Sequence, residues 1–145
     1  MIAIAVDDEK LMLGALAAAI KASSDISEVS QFSNCDEAVD YVKENEIDIA
    51  FLEFNMRGMG GLSLAEKIIA SCPACKIVFC TGYEEYAIPA FKLHASGYLM
   101  KPVSAKDVQV EIFCRCILSV FCKRTVRYLC CRCVRKQKQP GRYFR

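Results

Sequence analysis

The sequence predicts an α/β fold, a five-stranded parallel sheet doubly wound with helices on both faces. Three observations predict it. Five short apolar runs recur at 2–6, 28–32, 47–51, 76–79 and 97–100. The stretches between them carry apolar residues at helical spacing. Polar groups follow four of the five runs, where an open parallel sheet gathers its functional groups. Strands alternating with helices bury both faces of a parallel sheet.

In chain order, the first run ends in Asp7-Asp8-Glu9. The helix after it is assigned an apolar face of Leu11, Ala15, Ala18, Ala19 and Ala22, ending near "SSD". After the second strand, Ser33-Asn34 can cap a helix with Ala38, Val39 and Val42 inward and Asp36, Glu37, Asp40 and Lys43 outward. The third strand leads to Glu53 and the loop "NMRGMGG". A third helix is predicted over 62–69, and the fourth strand ends in Thr81-Gly82. A fourth helix is predicted over 84–92, and the fifth strand ends in Lys101-Pro102, a candidate cis bond because X–Pro tolerates that isomer cheaply. Ser104 caps a fifth helix through Val108, Ile112, Cys116 and Val120.

Length and composition bound the function. The 145 residues suffice for one domain with a real core, and 54% hydrophobic content without Trp marks a globular chain. "VEIFCRCILSVFC" is broken by Glu111 and Arg115 and falls short of the roughly 18 uninterrupted apolar residues of a membrane span, so no membrane contact is expected. "MIAIAVDDEK" has no basic region ahead of its apolar run, which argues against an export signal and for a cytoplasmic protein. The ten cysteines are then expected as reduced thiols.

The net charge of +2 conceals a break near residue 107. Residues 1–106 hold 9 Lys and Arg against 15 Asp and Glu, a net of −6. Residues 107–145 hold 10 against 2, a net of +8, and six of the ten cysteines. The expected organisation is one domain over 1–120 and a basic, Cys-rich tail over 121–145 with no fold of its own.

The strand ends suggest a chemistry. Asp7 and Asp8 after the first strand, with Glu53 after the third, offer oxygen ligands to a hard divalent cation such as Mg²⁺. Lys101 as a point charge and Thr81 as a hydroxyl donor would stabilise a phosphoryl group beside them. A carboxylate beside a metal, a Lys and a Thr is the apparatus for making an acyl phosphate.

The stretches "IAIAVDDEKLMLGALAAAI", "IDIAFLEFNMRGMGGLSLAEKI" and "IVFCTGYEEYAIPAFKLHASGYLMKPVS" resemble the flavodoxin-like receiver domain of bacterial response regulators. "TGYEEYAIPAFKLHASGYLMKP" is most similar to receivers of the LytTR (LytR/AlgR) subfamily, and the resemblance runs from residue 1 to about 115. It implies that Asp7 and Asp8 form an acidic Mg²⁺ site, with Asn55 contributing a backbone carbonyl. It further implies that Thr81 is the switch hydroxyl, Tyr98 the switch aromatic and Lys101 the phosphate-contacting lysine. Implied partners are a sensor histidine kinase or another signalling protein, and a second copy through the face of the fourth helix, fifth strand and fifth helix. A LytTR regulator would continue into a DNA-binding domain, for which this sequence has no room.

Two departures stand out. Arg57 replaces the proline usual in "M-P-G-M". Glu53 stands where the family has its phosphorylated aspartate, and Asp48, five residues upstream, cannot substitute. Glutamate moves the carboxylate outward by about 1.5 Å. Displacements near 1 Å cost a positioned reaction about a hundredfold, so normal phosphorylation is expected to be lost. The longer side chain could instead reach Lys101 or Thr81 and imitate part of the phosphorylated state, or remain an acid that still binds metal.

The expected function is an atypical receiver, a phosphorelay signalling switch acting by protein contact rather than an enzyme with a free substrate. One rival is a Mg²⁺-dependent phosphatase of the aspartyl-phosphate type, which needs a D-x-D that "DDE" does not supply. The other is a DNA-binding regulator remnant or nucleic-acid binder acting through the basic tail. Cys72-Pro73-Ala74-Cys75 is read as ordinary loop thiols because it ends a helix rather than starting one. His94 is read as a surface cap, and "CRC…CCRC" lacks zinc spacings.

Overall fold

The computed structural model describes residues 1–83 and 95–121, with side chains described through 113. The predicted fourth helix, His94 and the basic tail lie outside the described residues. The strands are β1 (Ile2–Val6), β2 (Glu28–Phe32), β3 (Ile49–Leu52), β4 (Lys76–Thr81) and β5 (Gly97–Met100). The helices are α1 (Lys10–Lys21), α2 (Cys35–Glu44), α3 (Gly61–Ser71) and α4 (Ala105–Phe121), the last being the fifth helix of the sequence. Met1–Ile112 forms one compact unit.

All pairings are parallel, in the order β2-β1-β3-β4-β5. β3 is buried on both faces, whereas the edge strand β2 is not. Because side chains alternate along a strand, the sheet supplies two cores. One gathers Ile4, Val6, Leu52 and Phe79 with Val39 and Val42 of α2 and Leu64 and Ile68 of α3. The other gathers Ala3, Phe51, Val78 and Leu99 with Leu16 and Ile20 of α1 and Val108 and Ile112 of α4. Fully burying one such large side chain contributes about 1.5–3 kcal/mol, so both layers are needed to hold the sheet.

The local signals hold at α2 and α4. The Asn34 side chain accepts the Asp36 N–H at 2.8 Å, and the inward face is Ala38, Val39 and Val42 as read from spacing. Ser104 Oγ accepts the Asp107 N–H at 3.2 Å while Asp107 Oδ2 accepts the Ser104 N–H at 2.9 Å, a reciprocal cap. Lys101-Pro102 is cis.

The face assigned to α1 is wrong. Leu13, Leu16, Ala17 and Ile20 are its buried residues, and Leu11 is 87% exposed. Two helical stripes compete in "LMLGALAAAIKA", and the one carrying more apolar volume turns inward. The predicted alanine stripe buries too little to win. β3 starts two residues later than predicted; just ahead of it, Asp48 Oδ2 accepts the Ile2 N–H at 2.8 Å and the Asp48 N–H donates to the Ile2 carbonyl at 2.9 Å.

One half-buried acid sets a pH dependence. A side chain added at Gly97 of β5 would collide with the Glu111 carboxylate from α4. Desolvation there raises the Glu111 pKa from 4.5 to about 7. An acid with a raised folded-state pKa favours folding while protonated, so that contribution is complete below about 4.5 and lost as pH rises through about 7. Thermal melts across this window should show wild type losing Tm as pH rises and Glu111→Gln losing much less. Parallel curves for the two proteins would contradict the assignment.

Candidate functional site

The sheet register brings four polar strand ends together. Val6 pairs with Leu52, so Asp7 and Glu53 emerge side by side, and the Glu53 N–H donates to the Val6 carbonyl at 2.9 Å. Thr81 pairs with Met100, so Lys101 emerges next to Thr81, its N–H donating to the Thr81 carbonyl at 2.9 Å. Asp7, Glu53 and Thr81 are all buried, at 0%, 5% and 0% exposure.

Two carboxylates this deep require a counter-charge. Lys101 provides it, with Nζ 2.6 Å from Asp7 Oδ2 and 2.6 Å from Glu53 Oε2. Burial works to lower the lysine pKa, but the hydrogen bonds and charges of Asp7 and Glu53 outweigh it and hold the pKa above its ordinary 10.5. The remaining oxygens bind backbone. Asp7 Oδ1 accepts the Glu9 N–H at 2.9 Å, and Glu53 Oε1 accepts the N–H groups of Phe54 at 2.7 Å and Asn55 at 3.0 Å. Cys80, fully buried next along β4, is a thiol that desolvation pushes well above its usual range.

The loop after β3 is shaped by glycine. Gly58 has φ +78°, a left-handed conformation that glycine adopts without strain. Gly61 donates its N–H to the Phe54 carbonyl at 2.8 Å, and a Cβ there would stand 2.8 Å from Phe54 Cα. This close approach holds the start of α3 against the strand end that carries Glu53.

A cavity of about 290 Å³ opens over the cluster, lined by Asp8, Glu9, Glu53, Asn55, Arg57 and Tyr83 among others. Asp8 stands at its mouth, where Oδ2 accepts the Arg57 N–H at 3.1 Å and lies 3.9 Å from Arg57 Nε. The Arg57 side chain is 97% exposed, so that ion pair is weak.

Of the residues singled out from sequence, Asp7, Glu53 and Lys101 are in direct contact. Asp8 and Asn55 border the same cavity. Thr81 lies beneath, and its Oγ1 is buried with no hydrogen-bond partner among the described residues. Tyr98 donates its hydroxyl to the Tyr83 carbonyl, linking β5 to the segment after β4. Asp48 is at the far end of β3, bonded to Ile2. Cys72 caps the C-terminal end of α3, with Sγ 3.5 Å from the Ile47 carbonyl. Sequence reasoning missed the backbone donors of Glu9, Phe54, Asn55 and Arg57, because main-chain groups leave no trace in residue identity.

The donors are hard oxygens of the kind that suit Mg²⁺. Among the described residues no three carboxylate, histidine or cysteine groups converge as metal ligands, and Lys101 stands between Asp7 and Glu53.

A 2-1-3-4-5 parallel sheet with acids after β1 and β3, a hydroxyl after β4 and a cis Lys-Pro after β5 is the frame of a two-component receiver. The chain belongs to the response regulator receiver domain family, whose profile matches residues 3–113. Among curated relatives it is 33% identical over 112 residues to the sensory transduction protein LytR of Staphylococcus epidermidis, covering 77% of this chain and 44% of that protein. It is 33% identical over 104 residues to LytT of Bacillus subtilis, covering 72% and 43%. The chain thus spans less than half the length of these relatives. Among solved structures it resembles the response regulatory domain of mrkE from Klebsiella pneumoniae, with TM-score 0.69 and 29% identity over 78% of this chain and 96% of that one. It shares its fold with TrrA of Thermotoga maritima, solved with Mg²⁺-BeF, with TM-score 0.69 and 22% identity over 77% and 96%. No helix among the described residues is long and apolar enough to cross a membrane.

Removing Lys101 would strand two buried carboxylates. Breaking a buried ion pair from one side costs about 3–5 kcal/mol. Chemical denaturation of Lys101→Met should show a loss of that size, with most of it recovered in Lys101→Met/Glu53→Gln. A loss under about 1 kcal/mol would place the ammonium in the class of exposed, weak ion pairs.

Proposed function

We propose that this receiver domain signals by protein contact and does not run the usual aspartyl-phosphate cycle, because Glu53 occupies the phosphoacceptor position. The observation that carries the reading is the engagement of Glu53. Oε2 binds Lys101 at 2.6 Å and Oε1 takes two backbone N–H groups, so neither oxygen is free to attack a phosphodonor. In this reading Lys101 is the lysine that would contact a phosphoryl group, Thr81 the switch hydroxyl and Tyr98 the switch aromatic. Asp7 and Asp8 are the acidic pair, and Asn55 borders them through its backbone.

The partners that suit such a module are a sensor histidine kinase, another signalling protein or a second copy of the chain. Control of transcription belongs to this proposal by analogy with the longer LytR and LytT relatives. The aspartyl-phosphatase reading is weaker, since it needs a free nucleophilic carboxylate in a D-x-D frame. The nucleic-acid reading rests on the tail, outside the described residues.

Acetyl phosphate is the direct test. Wild type should stay unmodified by intact-mass spectrometry at neutral pH, and Glu53→Asp should gain one base-labile phosphoryl group. Shortening the side chain withdraws the carboxylate from its present partners and restores the reach of an aspartate, a positional change worth about a hundredfold in rate. Phosphorylation of wild type at a rate comparable to the variant would refute the proposal, as would failure of Glu53→Asp to react.

A further inference from the structure

The acids of this site already have a cation. Lys101 Nζ is equidistant from Asp7 Oδ2 and Glu53 Oε2 at 2.6 Å, with the lysine side chain only 18% exposed and the two acids 1% and 7%. A divalent ion bound by these acids would need the same oxygens at about 2.0–2.1 Å, so it and the ammonium compete for one position. Other oxygens of the acids bind backbone: Asp7 Oδ1 accepts from Glu9, Glu53 Oε1 from Phe54 and Asn55, and Asp8 Oδ2 from Arg57. For Mg²⁺ to take the oxygens of Asp7 and Glu53 that face Lys101, the ammonium would have to be displaced. Mg²⁺ also dehydrates reluctantly, which weighs further against exchange.

The length of Glu53 is what permits this arrangement. Its carboxylate reaches back to two N–H groups of its own loop with one oxygen and across to β5 with the other. An aspartate, about 1.5 Å shorter, cannot span both.

We infer that Lys101 is the resident cation of this site in place of a divalent metal, and that the extra methylene of Glu53 fixes it there. The inference deepens the proposed function at the same site. Its readout is cation binding, whereas that of the function is covalent phosphorylation, so either can fail alone.

The test is a Mg²⁺ titration of the full chain, followed by thermal melts against NaCl of matched ionic strength and by amide shifts of residues 7–9 and 53–57. Wild type should show neither a Tm change nor saturable shifts at millimolar Mg²⁺. Lys101→Met should melt lower than wild type and regain about 5 °C at Mg²⁺ roughly tenfold above its Kd. Glu53→Asp, which keeps both charges and does not strand a carboxylate, should gain the same response if Lys101→Met fails to fold. Saturable Mg²⁺ binding by wild type at the affinity of Glu53→Asp would overturn the inference. Silence of both wild type and Glu53→Asp would also overturn it, since the length of Glu53 would then not be what excludes the metal.

Discussion

One ammonium between two buried carboxylates governs the functional end of this sheet. Adjacent strands lie about 4.8 Å apart, so acids that follow β1 and β3 in register must face each other. Left alone, Asp7 and Glu53 would repel in a medium that screens poorly. Lys101 answers both charges from β5, across the intervening β4, and so ties together three strands that do not all touch. Desolvating three charges is expensive, and the cluster is helped by the two oxygens turned away from Lys101, which accept backbone N–H groups. Asp7, Glu53 and Lys101 are therefore a single unit, and a change in one redistributes the others.

The scaffold makes that unit rigid. β3 has no exposed face, and Phe54 beyond it packs its ring at a tilt against Phe79, with centroids 5.2 Å apart. Gly61 lets α3 approach the Glu53–Phe54 backbone closely enough to accept no side chain. The loop between them is thus held at both ends, with its two N–H groups pointed at the Glu53 carboxylate. Arg57 adds a third fixed donor by binding Asp8 through its backbone. This contact needs a residue with an N–H, so a proline at this position could not make it.

Much of this was legible in the sequence for physical reasons. Parallel strands buried on both faces appear as continuous apolar runs, and their register forces the groups at their ends together. That is why Asp7, Glu53, Thr81 and Lys101 could be named without coordinates. The cap residues Asn34 and Ser104 were legible because capping depends on one side chain and its immediate neighbours. The face of α1 was not, because several alanines at helical spacing mimic an apolar stripe while burying little area. The Glu53 contacts were foreseen only as a reach toward Lys101 or Thr81. Which one it takes depends on backbone donors 2.7 and 3.0 Å from Oε1, and no residue letter records those.

That choice also limits what Glu53 can imitate. A carboxylate has two oxygens in one plane, and here both are used, one on the loop and one on Lys101. Nothing remains for Thr81, whose hydroxyl is buried without a partner among the described residues, an omission worth about 1–3 kcal/mol. A phosphoryl group has a third oxygen and a tetrahedral spread that could meet such a hydroxyl. Glu53 therefore meets the lysine and the loop backbone but not Thr81 of β4. Glu53 fills the site with charge while leaving the Thr81 hydroxyl without a partner among the described residues.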